Sequence, residues 1–391
     1  MLILLRDANV FAPAPLGRID VLIANGAIAA VGPRLPELPA ALCEEIDLHG
    51  LRLVPGLIDA HVHLTGGGGE SGPASRVPPL SLPALTAAGI TTVVGLLGTD
   101  GTTRTVQSLV ARTLGLREEG LSAYCWTGSY EVPVRTLTGS VRGDLCFVDP
   151  IIGVGELALS DHRSSQPTLE ELLRIAADCH VGGLMSGKAG VLHLHLGDGP
   201  RGLELVRKAL QQSELPARVF HPTHVNRSAR LLEEAFELTQ AGCTIDVTAF
   251  PEGDDGLSAA RAILLHVEKG LSPDRLTCSS DGAGCLPVFD AQGQLTSMDV
   301  GRPATLLETL RALLANGLPL ERALLPFTAN VAALLKFARK GRIARGLDAD
   351  LLILDEATRP LHLLARGQFL VRDGKVAPGR FPNQTSGALQ P

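Results

Sequence analysis

Short apolar runs rich in β-branched residues recur through the middle of the chain, at 53–64, 91–99, 122–130, 151–160, 190–197, 217–225, 244–250 and 276–282. Near-continuous apolarity of this kind suits parallel strands buried on both faces. The stretches between them carry helical spacing. Segment 229–241 sets Leu231, Leu232, Ala235, Phe236 and Leu238 mostly on one stripe, with Gly242 placed to end it. Segment 168–180 opens on Thr168 with Glu171 three positions on, the pattern of a capping box. Eight strand–helix units in about 230 residues predict an α/β fold of the (β/α)8 TIM-like barrel type. An open doubly wound sheet is the alternative, but no glycine fingerprint for a dinucleotide follows the first strand.

The two ends follow another rhythm. Residues 1–53 alternate short strands with turns: 20–24, the turn Asn25-Gly26, then 27–31. Residues 341–376 repeat the pattern, with strands at 350–354, 361–366 and 369–372. Together they predict a discontinuous β-sandwich domain, 1–53 plus 341–391, beside a barrel at 54–340. The segment 377–391 is polar with several Gly and Pro and is expected to be loose.

Composition narrows the picture. The 391 residues are 45% hydrophobic, enough for a large core. A net charge of −6 argues against nucleic-acid and anionic-membrane partners, which call for basic patches. Seven scattered cysteines without a CxxC read as reduced thiols. The apolar run 2–5 stops at Arg6 and Asp7, too short for a signal-peptide core, and no later run is suited to span a bilayer. A cytoplasmic location is expected.

Barrels of this type carry their reactive residues at the carboxyl ends of the strands. His61 and His63 lie two apart on the first predicted strand, so they point to one side, and a strand this apolar needs neither for packing. Thr99 and Asp100 end the second run and Tyr130 the third. Glu156 lies in the fourth, which leads to Asp161, His162 and Arg163. His193 and His195 lie in the fifth, His224 ends the sixth before Asn226 and Arg227, and Asp281 ends the eighth. His61, His63, His195 and His224 with Glu156 and Asp281 exceed the needs of one tetrahedral ion. They suit two zinc ions bridged by a carboxylate and a hydroxide. Asp281 is then placed to take the hydroxide's proton and pass it to a leaving amine. His193 lies deeper than His195 and is expected to pack or to back a ligand. His221 has the wrong parity relative to His224 and is expected to be structural, as are His49, His180, His266 and His362 outside the strand ends.

The HVHL at 61–64, His195, His224, the SSDG around Asp281 and the GLDADLL around Asp350 resemble the amidohydrolase superfamily. More narrowly, HVHLTGGGGESGP (61–73), VVGLLGTD (93–100), TGSY (127–130), SDHRS (160–164), PTHVNR (222–227) and SSDGAGC (279–285) resemble the isoaspartyl dipeptidase family over nearly the whole chain. The resemblance implies a binuclear zinc hydrolase that cleaves the isopeptide bond of β-aspartyl dipeptides. It implies that His61, His63 and Asp281 hold the more buried ion and that His195 and His224 hold the second. Glu70, in one loop with Gly68, would pair with the substrate ammonium. Arg227 would grip the α-carboxylate of the aspartyl unit, Arg163 with Thr99 the leaving residue's carboxylate, and Tyr130 would donate to the oxyanion. A homo-oligomer, an octamer by the same resemblance, is expected. The roles are chemically coherent: such a dipeptide carries one ammonium and two carboxylates, and Arg matches a carboxylate bidentately.

Two positions depart from the family. Its members bridge the ions with a carboxylated lysine on the fourth strand; here that position is Glu156, and no lysine lies between Tyr130 and Lys188. Glu156 is predicted to bridge both ions, with Gly153 and Gly155 letting the backbone approach. Cys285 stands where the family's substrate loop has serine, and a thiol is the weaker hydrogen-bonding group. Two other readings remain open at this point. One is amidohydrolase chemistry on cyclic amides or by deamination, which would leave Glu70 without a partner. The other is a non-catalytic scaffold, which the retained ligand set disfavours.

Overall fold

The computed structural model describes residues 2–250, 257–289 and 295–380. Each of the eight apolar runs contains a strand: β1 (Leu57–Val62), β2 (Ile90–Gly95), β3 (Ser122–Thr127), β4 (Ile151–Leu159), β5 (Val191–Leu196), β6 (Phe220–Thr223), β7 (Ile245–Thr248) and β8 (Leu276–Ser279). β1 to β6 form one parallel ladder in sequence order, and β7 pairs with β8 in a second. β8 returns to β1 through the bridge Val62–Gly282 and the hydrogen bond from His63 N–H to the Gly282 carbonyl, 2.8 Å. No ladder joins β6 to β7. The Asn226 side chain spans the gap: its Nδ2 donates to the Thr248 and Leu257 carbonyls, and its Oδ1 accepts from Thr248 N–H.

The alternation within β5 explains how an apolar run carries chemistry. Leu192, Leu194 and Leu196 join the main apolar cluster with Leu172, Ile175 and Cys179 of the helix Leu169–Ser186. His193 and His195 point the other way, into the barrel. That helix starts as its sequence predicts: Thr168 Oγ1 accepts from Glu171 N–H, and Glu171 Oε2 accepts from Thr168 N–H at 2.8 Å. The helix Ala229–Gln240 buries Leu231, Leu232, Ala235, Phe236 and Leu238.

The run at 53–64 is two strands, not one. Arg52–Pro55 belongs to the sheet of the chain ends, and Gly56 passes the chain on to β1. A Cβ at Gly56 would lie 2.2 Å from the Thr91 side chain, so only glycine permits this crossing. The end segments make one nine-stranded mixed sheet. Its order runs from Lys375–Val376 through Gln368–Arg372, Pro360–Ala365, Leu351–Leu354, Arg52–Pro55, Leu2–Phe11 and Pro15–Ala24 to Ala27–Gly32, with Cys43–Asp47 also on Leu2–Phe11. The sheet rolls over its own core of Ile3, Leu5, Val10, Val21, Ile28, Leu53, Leu351 and Ile353. Ile28 N–H donates to the Leu347 carbonyl, tying the Ala27–Gly32 edge to the segment that leads into Leu351–Leu354. Residues 381–391, most of the segment expected to be loose, lie outside the described residues. Among the described residues no helix is long and apolar enough to cross a membrane.

Candidate metal centre

Glu156 is the hub. Its Oε2 lies 3.1 Å from His195 Nδ1, 3.4 Å from His224 Nε2 and 3.5 Å from His61 Nε2, and its Oε1 lies 3.5 Å from His63 Nε2. Asp281 Oδ1 faces the same space, 3.3 Å from His61 Nε2 and 3.1 Å from His63 Nε2. All six side chains are buried. His61 Nε2 and Asp281 Oδ1 have no well-aligned hydrogen-bond partner. Donor atoms left unmatched at one buried point, an imidazole nitrogen and a carboxylate oxygen, are what a bound cation satisfies.

The electrostatics agree. Burial opposes charge on Glu156, yet His61, His195 and His224 hold it well below the usual carboxylate range. Burial also opposes charge on Asp281, and His61 and His63 overcome it in the same direction. Burial would lower His61, but Glu156 and Asp281 raise it well above an ordinary histidine. Burial takes His224 down to about 3. Without a metal a proton stands in for the positive charge; with one, the imidazoles are free as neutral ligands.

Backbone devices aim these groups. His224 follows β6 at φ 60°, a left-handed turn that swings its ring inward, and Thr248 Oγ1 holds its Nδ1 at 2.7 Å. Asp281 also has positive φ, 53°, and a Cβ on Gly284 would lie 2.1 Å from its Oδ1. Asp161 Oδ2 lies 2.9 Å from His195 Nε2, so that ring's other nitrogen faces Glu156. A carboxylate behind an imidazole is the usual way to orient a ligand and raise its basicity.

The substrate-side candidates line a cavity of about 20 Å³, and a second of about 290 Å³ shares Gly68, Glu70, Thr99 and Asp100 with it. Glu70 Oε1 accepts from Thr99 Oγ1 at 2.9 Å, while its buried Oε2 has no partner among the described residues. Arg163 forks onto Asp161, Nε to Oδ1 at 3.0 Å and Nη2 to Oδ2 at 2.7 Å, and turns Nη1 toward Glu70 at 3.6 Å. Arg227 stands over the Phe250 ring and has an unpartnered Nε. Tyr130 Oη is 2.8 Å from His195 Nδ1, and burial with the Glu156 charge keeps its phenol protonated, well above the usual range. Burial, aided by Glu70, raises the Cys285 thiol to about 12, so it is a neutral thiol and no nucleophile.

Thus His61, His63, Glu156, His195, His224 and Asp281 converge, and Gly68, Glu70, Thr99, Tyr130, Arg163, Arg227 and Cys285 surround them. Within the chain, Thr99 sits on Glu70 and Arg163 on Asp161, both at the edge of the same cavity. Sequence reasoning passed over Asp161 and Arg104 as working parts. Arg104 is buried and donates to the Thr65, Gly67, Gly68 and Val77 carbonyls and to Asp100, clamping the loop that carries Glu70. His221 was expected to be structural by strand parity; its ring enters the barrel and meets His193.

A curled parallel barrel with convergent imidazoles and carboxylates at its carboxyl end defines a class of metal-dependent hydrolases, and residues 52–379 match the amidohydrolase family model. The chain belongs to the amidohydrolase family. Within it, the chain is 43% identical to the beta-aspartyl dipeptidase of the thermophile Fervidobacterium islandicum AW-1, solved in complex with beta-Asp-Leu. That similarity covers 97% of this chain and 100% of the other, with a TM-score of 0.93. An allantoinase of Streptomyces avermitilis is 27% identical over 96% of this chain and 92% of its own. A dihydropyrimidinase of Brevibacillus agri shares the fold at 17% identity and a TM-score of 0.66, over 98% of this chain and 97% of its own.

Proposed function

We propose that this hydrolase is a zinc-dependent dipeptidase that cleaves the isopeptide bond of β-aspartyl dipeptides. The observation that carries the reading is Glu70. Its Oε2 is buried and has no partner among the described residues, and Glu70 lines the cavity beside the candidate metal ligands. A buried carboxylate oxygen matches an ammonium ion better than the neutral N–H groups of a ring such as allantoin, which favours a dipeptide. The 43% identity to a beta-aspartyl dipeptidase supports the same reading.

His61, His63 and Asp281 would hold one ion, His195 and His224 the other, with Glu156 shared. Divalent cations so held would supply Lewis acidity and bring the pKa of a water toward neutrality. Asp281, ionised through His61 and His63, accepts that water's proton and returns it to the leaving amine. Tyr130 donates its phenolic hydrogen to the oxyanion. Glu70 holds the α-ammonium. Arg227 takes the aspartyl carboxylate, and Arg163, oriented by Asp161, takes the carboxylate of the departing residue.

The test compares turnover of β-Asp-Leu, α-Asp-Leu and allantoin by the zinc-loaded enzyme. β-Asp-Leu is expected to be the best substrate by far, and Glu70→Gln to raise its KM. Faster turnover of allantoin, or equal turnover of α-Asp-Leu, would overturn the reading. Arg104→Met is expected to loosen the Glu70 loop and raise KM about tenfold, about 1.4 kcal/mol, with kcat nearly kept. A matching fall in kcat at constant KM would instead place Arg104 in the chemical step.

A further inference from the structure

Behind the metal centre, on the side away from the cavity, a line of buried polar side chains crosses the barrel. His61 Nδ1 lies 2.8 Å from His193 Nε2, and His193 Nδ1 lies 2.9 Å from His221 Nδ1. His221 Nε2 is 3.0 Å from Thr277 Oγ1, which donates to Asp246 Oδ1 at 2.6 Å. Asp246 Oδ2 accepts from Thr223 Oγ1 at 2.7 Å and from Ser279 Oγ at 2.5 Å. Every one of these residues is fully buried. Trp126 stacks on the His193 ring, centroids 5.1 Å apart and planes within 9°, and fixes its plane.

The hydrogens can run only one way. The Asp246 carboxylate only accepts, so Thr277 must point its hydroxyl hydrogen there and accept from His221 Nε2. A neutral His221 then has a bare Nδ1, which must accept from His193 Nδ1. His193 in turn has a bare Nε2, which accepts from His61 Nδ1. The lone pair of His61 is left on Nε2, the atom facing Glu156 and Asp281. Burial holds His221 at about 4, so that ring is neutral, as the run of donors requires.

We infer that Asp246, Thr277, His221 and His193 are positioning residues that form a one-way hydrogen-bond relay, fixing His61 as the Nδ1–H tautomer and strengthening its Nε2 as a metal ligand. The inference rests on the metal-centre reading above. Outer partners of a ligating histidine commonly govern affinity about 10- to 100-fold. Here the carboxylate acts through three intervening side chains, drawn from β8, β6 and β5. The relay therefore ties four strands, with β7, to one ligand atom.

The test uses Thr277→Val, which keeps the shape and removes the hydroxyl, against Thr277→Ser, which keeps the hydroxyl. Zn2+ dissociation constants come from competition with a chromophoric chelator. Imidazole tautomers come from long-range 1H–15N spectra of histidine-labelled protein. Thr277→Val is expected to weaken one of the two zinc sites by about tenfold or more. It is also expected to move the His221 hydrogen from Nε2, while Thr277→Ser stays within a few-fold of the parent. Asp246→Asn is expected to weaken the same site, should the valine variant fold poorly. Parent protein with His193 carrying its hydrogen on Nε2, or Thr277→Val binding zinc as tightly as the parent, would overturn the relay alone. Parent protein that binds no zinc would overturn the metal centre, and the relay with it.

Discussion

Glu156→Gln is expected to leave the purified enzyme with fewer than two metal ions per chain and to cut kcat for β-Asp-Leu by about 10³-fold, about 4 kcal/mol of barrier. Glutamine preserves volume, so the effect isolates charge and the second oxygen donor. All four candidate imidazole ligands lie within 3.5 Å of this carboxylate, and an amide presents only one comparable oxygen. Without the anion, two cations held by these residues would lose their shared counter-charge and repel. Elemental analysis of protein purified without added zinc, together with kcat, checks this. A variant that keeps two ions and stays within tenfold of the parent rate would remove Glu156 from the bridging role.

Tyr130→Phe is expected to lower kcat by about 10²- to 10³-fold, about 2.7–4 kcal/mol, with little change in KM. The hydroxyl is buried beside His195 and stays protonated, because burial and the Glu156 charge both disfavour the phenolate. A neutral donor in a dry site gains most when negative charge develops in front of it, so its loss is felt in the transition state. Arg163 lies over the Tyr130 ring, its guanidinium carbon 5.5 Å from the ring centre, and holds the ring side-on. The variant keeps that contact, so its metal content is expected to match the parent. A rise in KM with kcat unchanged would reassign Tyr130 to ground-state binding.

The barrel was legible because a parallel strand covered by helices must be apolar on its outer face, and the eight runs announce that. The break at Gly56 was hidden because its cause is Thr91, a neighbour on another strand. The candidate ligands were legible because strand ends concentrate chemistry in this architecture. The face that His221 takes, as distinct from its structural reading, was misjudged for a local reason. Parity was counted from His224, but His224 lies past the strand in a left-handed turn, so its inward direction says nothing about β6. Thr223, on the true parity of His221, points inward to Asp246. Arg104 left little trace in the sequence because, Asp100 apart, its acceptors are main-chain carbonyls of a loop some way upstream, and carbonyls look alike in every residue. Asp161 stood in plain sight beside Arg163, but which of its neighbours it would orient depended on how β4 and β5 align.

The place where the barrel wall lacks its ladder lies next to His224 and Arg227. Asn226 is the stitch across that seam, mimicking a strand with a single amide. One proposed metal ligand and one proposed substrate grip therefore flank the side chain that, among the described residues, sews β6 to β7 through main-chain groups. Loosening the seam would move both neighbours together, which would couple closure of the cylinder to the proposed chemistry.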